Sequence, residues 1–243
     1  MPVPRITLGS LFHQSVIAFR TNFAQSFSIA LVGHTVMLVF SWSLGNLHLM
    51  LDNSPPTHFD ISLIAVYTVN FVIEMFLTGS IMFGVIQHLS GSKVTISQCM
   101  YAGLSVLFPL IVVSILAGVG IVFGSLLLLV PGLILMVMWS VVGPVTVAER
   151  PKDMTAGFRR SRDLTKGARW TIFVGFLCYL FIFAIFTVGI GYFSERFSLS
   201  VIPYTLFIII KQSILLVVVV VLLSVLYSAL SIAKDNTGIE EEA

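Results

Sequence analysis

Charge is what this chain has least of. Asp, Glu, Lys and Arg make up 10% of its 243 residues, where a soluble domain carries about 25%. With 57% hydrophobic residues, 20 Phe and a mean hydropathy of +1.03, it lacks the polar surface a globule needs in water. Cysteine is scarce too. Cys99 and Cys178 form no CxxC motif and no disulfide framework. One falls in a short mixed segment and the other in an apolar run, so a bond between them is not expected. A signal peptide is missing: the first apolar run begins near Phe23, and no small-residue cleavage site follows it. The N-terminus therefore reads as mature and uncleaved. Catalytic templates are missing as well, with no HExxH, GxSxG, Walker A or GxGxxG string and no neighbouring carboxylates in an apolar run. The expectation is a non-enzyme with no cofactor and no metal.

What the chain has instead is apolar length. Six runs, at 23–45, 61–87, 105–129, 131–148, 170–192 and 203–229, each suffice to cross a hydrocarbon core of about 30 Å as a helix. The fold class is all-α, a polytopic membrane protein of six transmembrane helices. In "LLVPGLI" the third and fourth runs almost touch, so Pro131 and Gly132 are expected to make a tight helical hairpin.

Positive charge is distributed very unevenly. Seven of the 13 Lys and Arg lie in one window, "AERPKDMTAGFRRSRDLTKGARW": Arg150, Lys152, Arg159, Arg160, Arg162, Lys166 and Arg169. With six spans, Arg5, Arg20, Lys93 and Lys234 fall on the same side as this window. Only Arg196 falls on the other, and Lys211 lies within the last span. Eleven against one orients the chain by the positive-inside rule, with both termini cytoplasmic.

Three segments share a pattern. "TLGSLFHQSVIAF" from Thr7, "TISQCMYAGLSVL" from Thr95 and "TAGFRRSRDLTKG" from Thr155 each gather apolar residues on one helical face just before a span. They read as three cytoplasmic interfacial amphipathic helices. The chain then divides into three units of interfacial helix plus hairpin, at 7–89, 95–148 and 153–233, within a single membrane domain. In the third helix Met154, Phe158, Ser161, Leu164 and Ala168 form a face expected to enter lipid, with Asp153 as the N-cap and the arginines on anionic headgroups.

The stretch from Val130 to Phe173 carries a family pattern. It has Pro131 and Gly132 at the hairpin, then Trp139 and Ser140, then Pro144 and Val145 before Glu149 and Arg150. Arg160, Ser161, Leu164, Thr165 and Gly167 complete it. Together with "LGSLF", "FRTNF" and "LYSAL" elsewhere, this resembles the membrane domain attached to some glycerophosphodiester phosphodiesterases. It is also similar to the YciC-type inner-membrane proteins of bacteria. The resemblance implies a bacterial inner (cytoplasmic) membrane location and a multi-pass fold. It does not imply phosphodiesterase activity, because that chemistry belongs to a separate soluble domain with a His-Arg-Gly type site, and this chain has no His-Arg pair.

Candidate sites are few. His34, Asn70, Glu74 and Lys211 sit at mid-membrane depth, where desolvation makes any ionisable group a functional candidate. Asn70, Glu74 and Thr78 recur at i, i+4 and i+8, one polar stripe on the second span. A proton or ion relay through His34, Glu74 and Lys211 is one reading, and a hydrogen-bonded cluster that fixes helix packing is the other. His48, Asp52, His58 and Asp60 lie in the loop between the first two spans. Their spacing lacks the tight pairing of zinc motifs, so a solvated turn is the better reading. Gly120 and Gly124 form a GxxxG pair suited to close helix approach, within the chain rather than between chains.

For the basic window, nucleic acid is excluded as partner: no aromatic stacking platform or recognised module accompanies it. The expected partners are membrane lipids, through anionic headgroups at the cytoplasmic face. The expected role is a membrane scaffold or lipid-associated envelope protein. A transporter or channel subunit built on the mid-membrane cluster is the alternative.

Overall fold

The computed structural model describes residues 8–44, 61–196 and 201–241. Arg5 and the loop residues His48, Asp52, His58 and Asp60 thus lie outside the described residues. Within these limits the chain is helical throughout. Eight helices follow in order: α1 (Leu8–Ser43), α2 (Ile61–Leu89), α3 (Ile96–Leu127), α4 (Leu129–Met138), α5 (Val142–Glu149), α6 (Met154–Thr165), α7 (Arg169–Arg196) and α8 (Val201–Glu241). Six helical segments are long and apolar enough to cross a membrane, and they coincide with the six runs read from sequence. This is a multi-pass, all-helical membrane protein.

The first two interfacial segments are not separate helices. α1 has 36 residues and α3 has 32, or about 54 and 48 Å at 1.5 Å per residue. Both exceed a hydrocarbon core of about 30 Å, so the amphipathic stretches are their leading turns. Thr95 starts α3 with a capping box. Its hydroxyl accepts from the Gln98 amide, and the Gln98 side chain accepts from the Thr95 amide at 2.8 Å.

The hairpin between the third and fourth spans turns at a different residue from the one expected. α3 ends at Leu127, the extended Leu128 makes the whole turn, and Pro131 already lies in the first turn of α4. Proline is tolerated there because the first amides of a helix have no intrahelical acceptor. Gly132 serves the packing instead. A Cβ on it would stand 2.8 Å from the Ser125 Cα, so the two backbones meet at this point. Gly120 and Gly124 face the same partner. Gly120 receives the Trp139 ring, and a Cβ on Gly124 would lie 3.2 Å from the Gly132 Cα. The GxxxG pair is therefore used inside the chain.

The fourth span is interrupted. α4 stops at Met138, Trp139 to Val141 form a turn, and α5 resumes at Val142. α2 runs through the centre of the bundle, packed on α1, α3, α5 and α8. Ile81, Val85, Val141, Val145, Val217, Val220 and Val221 make up its most buried core. α2 and α3 approach at Gly79, Ser80 and Gly103, where a Cβ on Gly103 would stand 2.8 Å from the Ser80 amide nitrogen. Lipid removes most of the hydrophobic drive between helices, so such close contacts and interhelical hydrogen bonds carry the association.

Candidate functional site

Two groups of polar residues stand out, one within the bundle and one at its basic end. The inner group begins with His34 on α1. Its Nε2 lies 3.6 Å from Glu74 Oε2 on α2, so the two mid-membrane ionisable residues meet as expected. His34 Nδ1 lies 2.8 Å from the Ala30 carbonyl and 3.2 Å from Ser213 Oγ on α8. A carbonyl can only accept, and Ser213 spends its own hydrogen on the Ile209 carbonyl at 2.8 Å. Nδ1 therefore carries a hydrogen, which leaves Nε2 to face the carboxyl. An imidazole nitrogen beside the carboxyl lessens the cost of placing either group in hydrocarbon.

Asn70 continues the stripe. Its amide donates to Ser41 on α1 at 3.3 Å, while its buried Oδ1 has no hydrogen-bond partner among the described residues. The structure does not bring Lys211 to this group. It lies two positions before Ser213, which is about 200° around a helix. Half-buried, Lys211 makes no ion pair among the described residues. The three-member relay is thus not assembled. The third member is a serine, and Ser213 and Ser41 escaped sequence reasoning because a lone serine in an apolar span carries no motif.

At the basic end, α6 is the one interfacial segment that forms a helix of its own. Its less polar face does not enter lipid, contrary to expectation, but seats on the interruption of the fourth span. A helix end leaves carbonyls without partners, and Ser161 Oγ donates to the Met138 carbonyl at 2.8 Å. Phe158 packs edge-on against Trp139 with ring centroids 5.0 Å apart, and Leu164 is fully buried. Asp153 holds the N-cap position in extended conformation, but its side chain makes no capping hydrogen bond. The Ala156 amide bonds the Asp153 backbone carbonyl instead.

Glu149 ties the helices together. One of its oxygens accepts from Arg160 Nε and from the Tyr227 hydroxyl of α8, both at 3.0 Å. Glu149, Arg160 and Tyr227 all belong to the residues that carried the family resemblance. Lys234 of α8 reaches the Asp163 carbonyl at 3.4 Å. Arg160 is therefore part of the scaffold, whereas Arg150, Lys152, Arg159, Arg162, Lys166 and Arg169 are exposed. The result is a rigidly mounted helix presenting cations outward. Comparison with known protein families, characterised proteins and solved structures finds no match for this chain.

Proposed function

We propose that this is a non-enzymatic membrane scaffold that holds anionic lipid headgroups at the cytoplasmic face of a bacterial inner membrane. The seating of α6 supports the reading most directly. With its less polar face fixed on the bundle, six exposed basic side chains between Arg150 and Arg169 form a preorganised rim. Each basic group near an anionic surface contributes about 1 kcal/mol. The eleven-to-one distribution of Lys and Arg supports a cytoplasmic side for that rim and for both termini. The resemblance to YciC-type proteins and to phosphodiesterase membrane domains supplies the bacterial setting.

Melting of the purified full-length protein in detergent tests this. Added phosphatidylglycerol should raise the midpoint, and phosphatidylcholine should not. The quadruple variant Arg159→Gln, Arg162→Gln, Lys166→Gln and Arg169→Gln should lose most of that gain. Equal stabilisation by both lipids would remove the reading.

The contact between His34 and Glu74 favours a second reading, a proton-coupled transporter or channel subunit. Glu74 retains 36% side-chain exposure. Liposomes containing the protein would then conduct protons faster than protein-free liposomes, and Glu74→Gln would abolish the difference. No difference for the unaltered protein sinks this alternative.

A further inference from the structure

A cleft of about 210 Å³ opens between α3 and α5 at the basic end. Ser105 and Arg150 stand among its lining residues, and Val106, Pro109 and Val113 continue it along α3 toward the hydrocarbon. Its polarity thus runs in the same direction as that of the bilayer. Three further observations converge on Arg150.

The first is its charge. The guanidinium donates to Ser105 Oγ at 3.1 Å, a neutral partner. Its chain neighbour Glu149 is engaged by Arg160 and Tyr227, and no carboxylate pairs with Arg150 among the described residues. A guanidinium has five N–H donors in a fork suited to phosphate, and most of them are unspent here.

The second is its backbone. Among the described residues, Arg150 is the one non-glycine with positive φ, at φ 46° and ψ 58°. It also precedes Pro151, and the residue before a proline favours extended conformations. Left-handed backbone is costly for a residue with a Cβ and persists only where its surroundings impose it. Here it ends α5 with the guanidinium on Ser105.

The third is Pro109. It has no N–H to offer the Ser105 carbonyl, so one backbone hydrogen bond is missing from the turn that carries the hydroxyl bonded to Arg150.

The geometry points to one anionic phospholipid held in this cleft, with phosphatidylglycerol as its probe. Its phosphate sits on Arg150 and Ser105, and the start of an acyl chain lies along Val106, Pro109 and Val113. This deepens the lipid-scaffold reading and rests on it. The site is a discrete one, distinct from the diffuse attraction of the α6 rim.

Native mass spectrometry of the full-length protein, delipidated and offered defined lipids, separates the two. The unaltered protein should retain one phosphatidylglycerol per chain and no phosphatidylcholine. Arg150→Gln should weaken retention about tenfold, the loss of one charge-assisted phosphate contact. Ser105→Trp, which blocks the mouth from an exposed position and leaves the charge, should do the same. The quadruple glutamine variant of α6 should keep the single lipid while losing the general preference in melting. Inorganic phosphate should neither bind comparably nor displace the lipid. The assignment is overturned if both cleft variants retain the lipid, or if the α6 variant loses it. It also falls if phosphatidylcholine is held equally, or if free phosphate competes. A lipid retained at the cleft without any melting preference would defeat only the broader reading of the rim.

Discussion

In α7, 6% of the apolar stretch is buried inside the protein, against 44% in α8, although both are long apolar runs. α7 touches α4 and α8 lightly, while α8 packs on α1 and α2 along the bundle. Phe181, Ile185, Phe186 and Val188 of α7 are exposed, and Gly175 has open space where a Cβ would stand. α8 instead buries Val217, Val220 and Val221 and places Ser213 and Ser224 fully inside. Lipid tails are as apolar as a protein core, so hydropathy marks the membrane and not the interior. Small and hydroxyl side chains that let backbones approach are what distinguish an inner helix, while bulky aromatics suit the lipid-facing one.

The comparison can be broken by paired substitutions. The largest effect is expected for glycine. Gly103→Leu would drive a side chain into the Ser80 backbone, so the bundle should fail to fold, read as loss of a monodisperse peak in detergent. Gly175→Leu on α7 should leave that peak intact. An intermediate effect is expected from cavities. Leu226→Ala, at a buried α8 position, should cost about 2 kcal/mol in unfolding experiments, whereas Phe181→Ala on the open face of α7 should change little. The smallest effect belongs to Ser213→Ala. Losing one interhelical hydrogen bond to His34 should cost about 0.6 kcal/mol. If the α7 substitutions destabilise as much as Gly103→Leu on α3 and Leu226→Ala on α8, α7 has a partner that the comparison ignores.

Much of this fold is legible in the sequence. Length and hydropathy place all six spans, because a bilayer imposes its thickness on any helix that crosses it. The His34–Glu74 pairing followed from counting residues along two antiparallel helices. Where reasoning failed, it failed at rotation and at turns. Lys211 has the chemistry of a relay member, but the azimuth of α8 presents Ser213 to His34 instead. Pro131 and Gly132 look like a turn, but the chain turns at Leu128 and spends both residues inside α4. The face of α6 read as lipid-facing because a helical wheel does not say which apolar surface it meets. The break at Trp139 that receives it did have a signal in sequence, Pro144, which has no N–H for the Ser140 carbonyl and crowds it. Arg150 stood out only as one cation of seven, since neither its backbone conformation nor its lack of a carboxylate partner is written in a window of charges.

The turn at Leu128 has a consequence for how the protein enters its membrane. Leu126 to Val130, at the far tip of the hairpin, are all apolar and 64% to 80% exposed, and the Leu128 amide is already bonded to the Gly124 carbonyl. Such a tip carries no polar cargo across the bilayer, unlike the loop between the first two spans with Asp52, His58 and Asp60. The α3–α4 hairpin can therefore enter from the basic side without moving a charged side chain through the hydrocarbon at its tip.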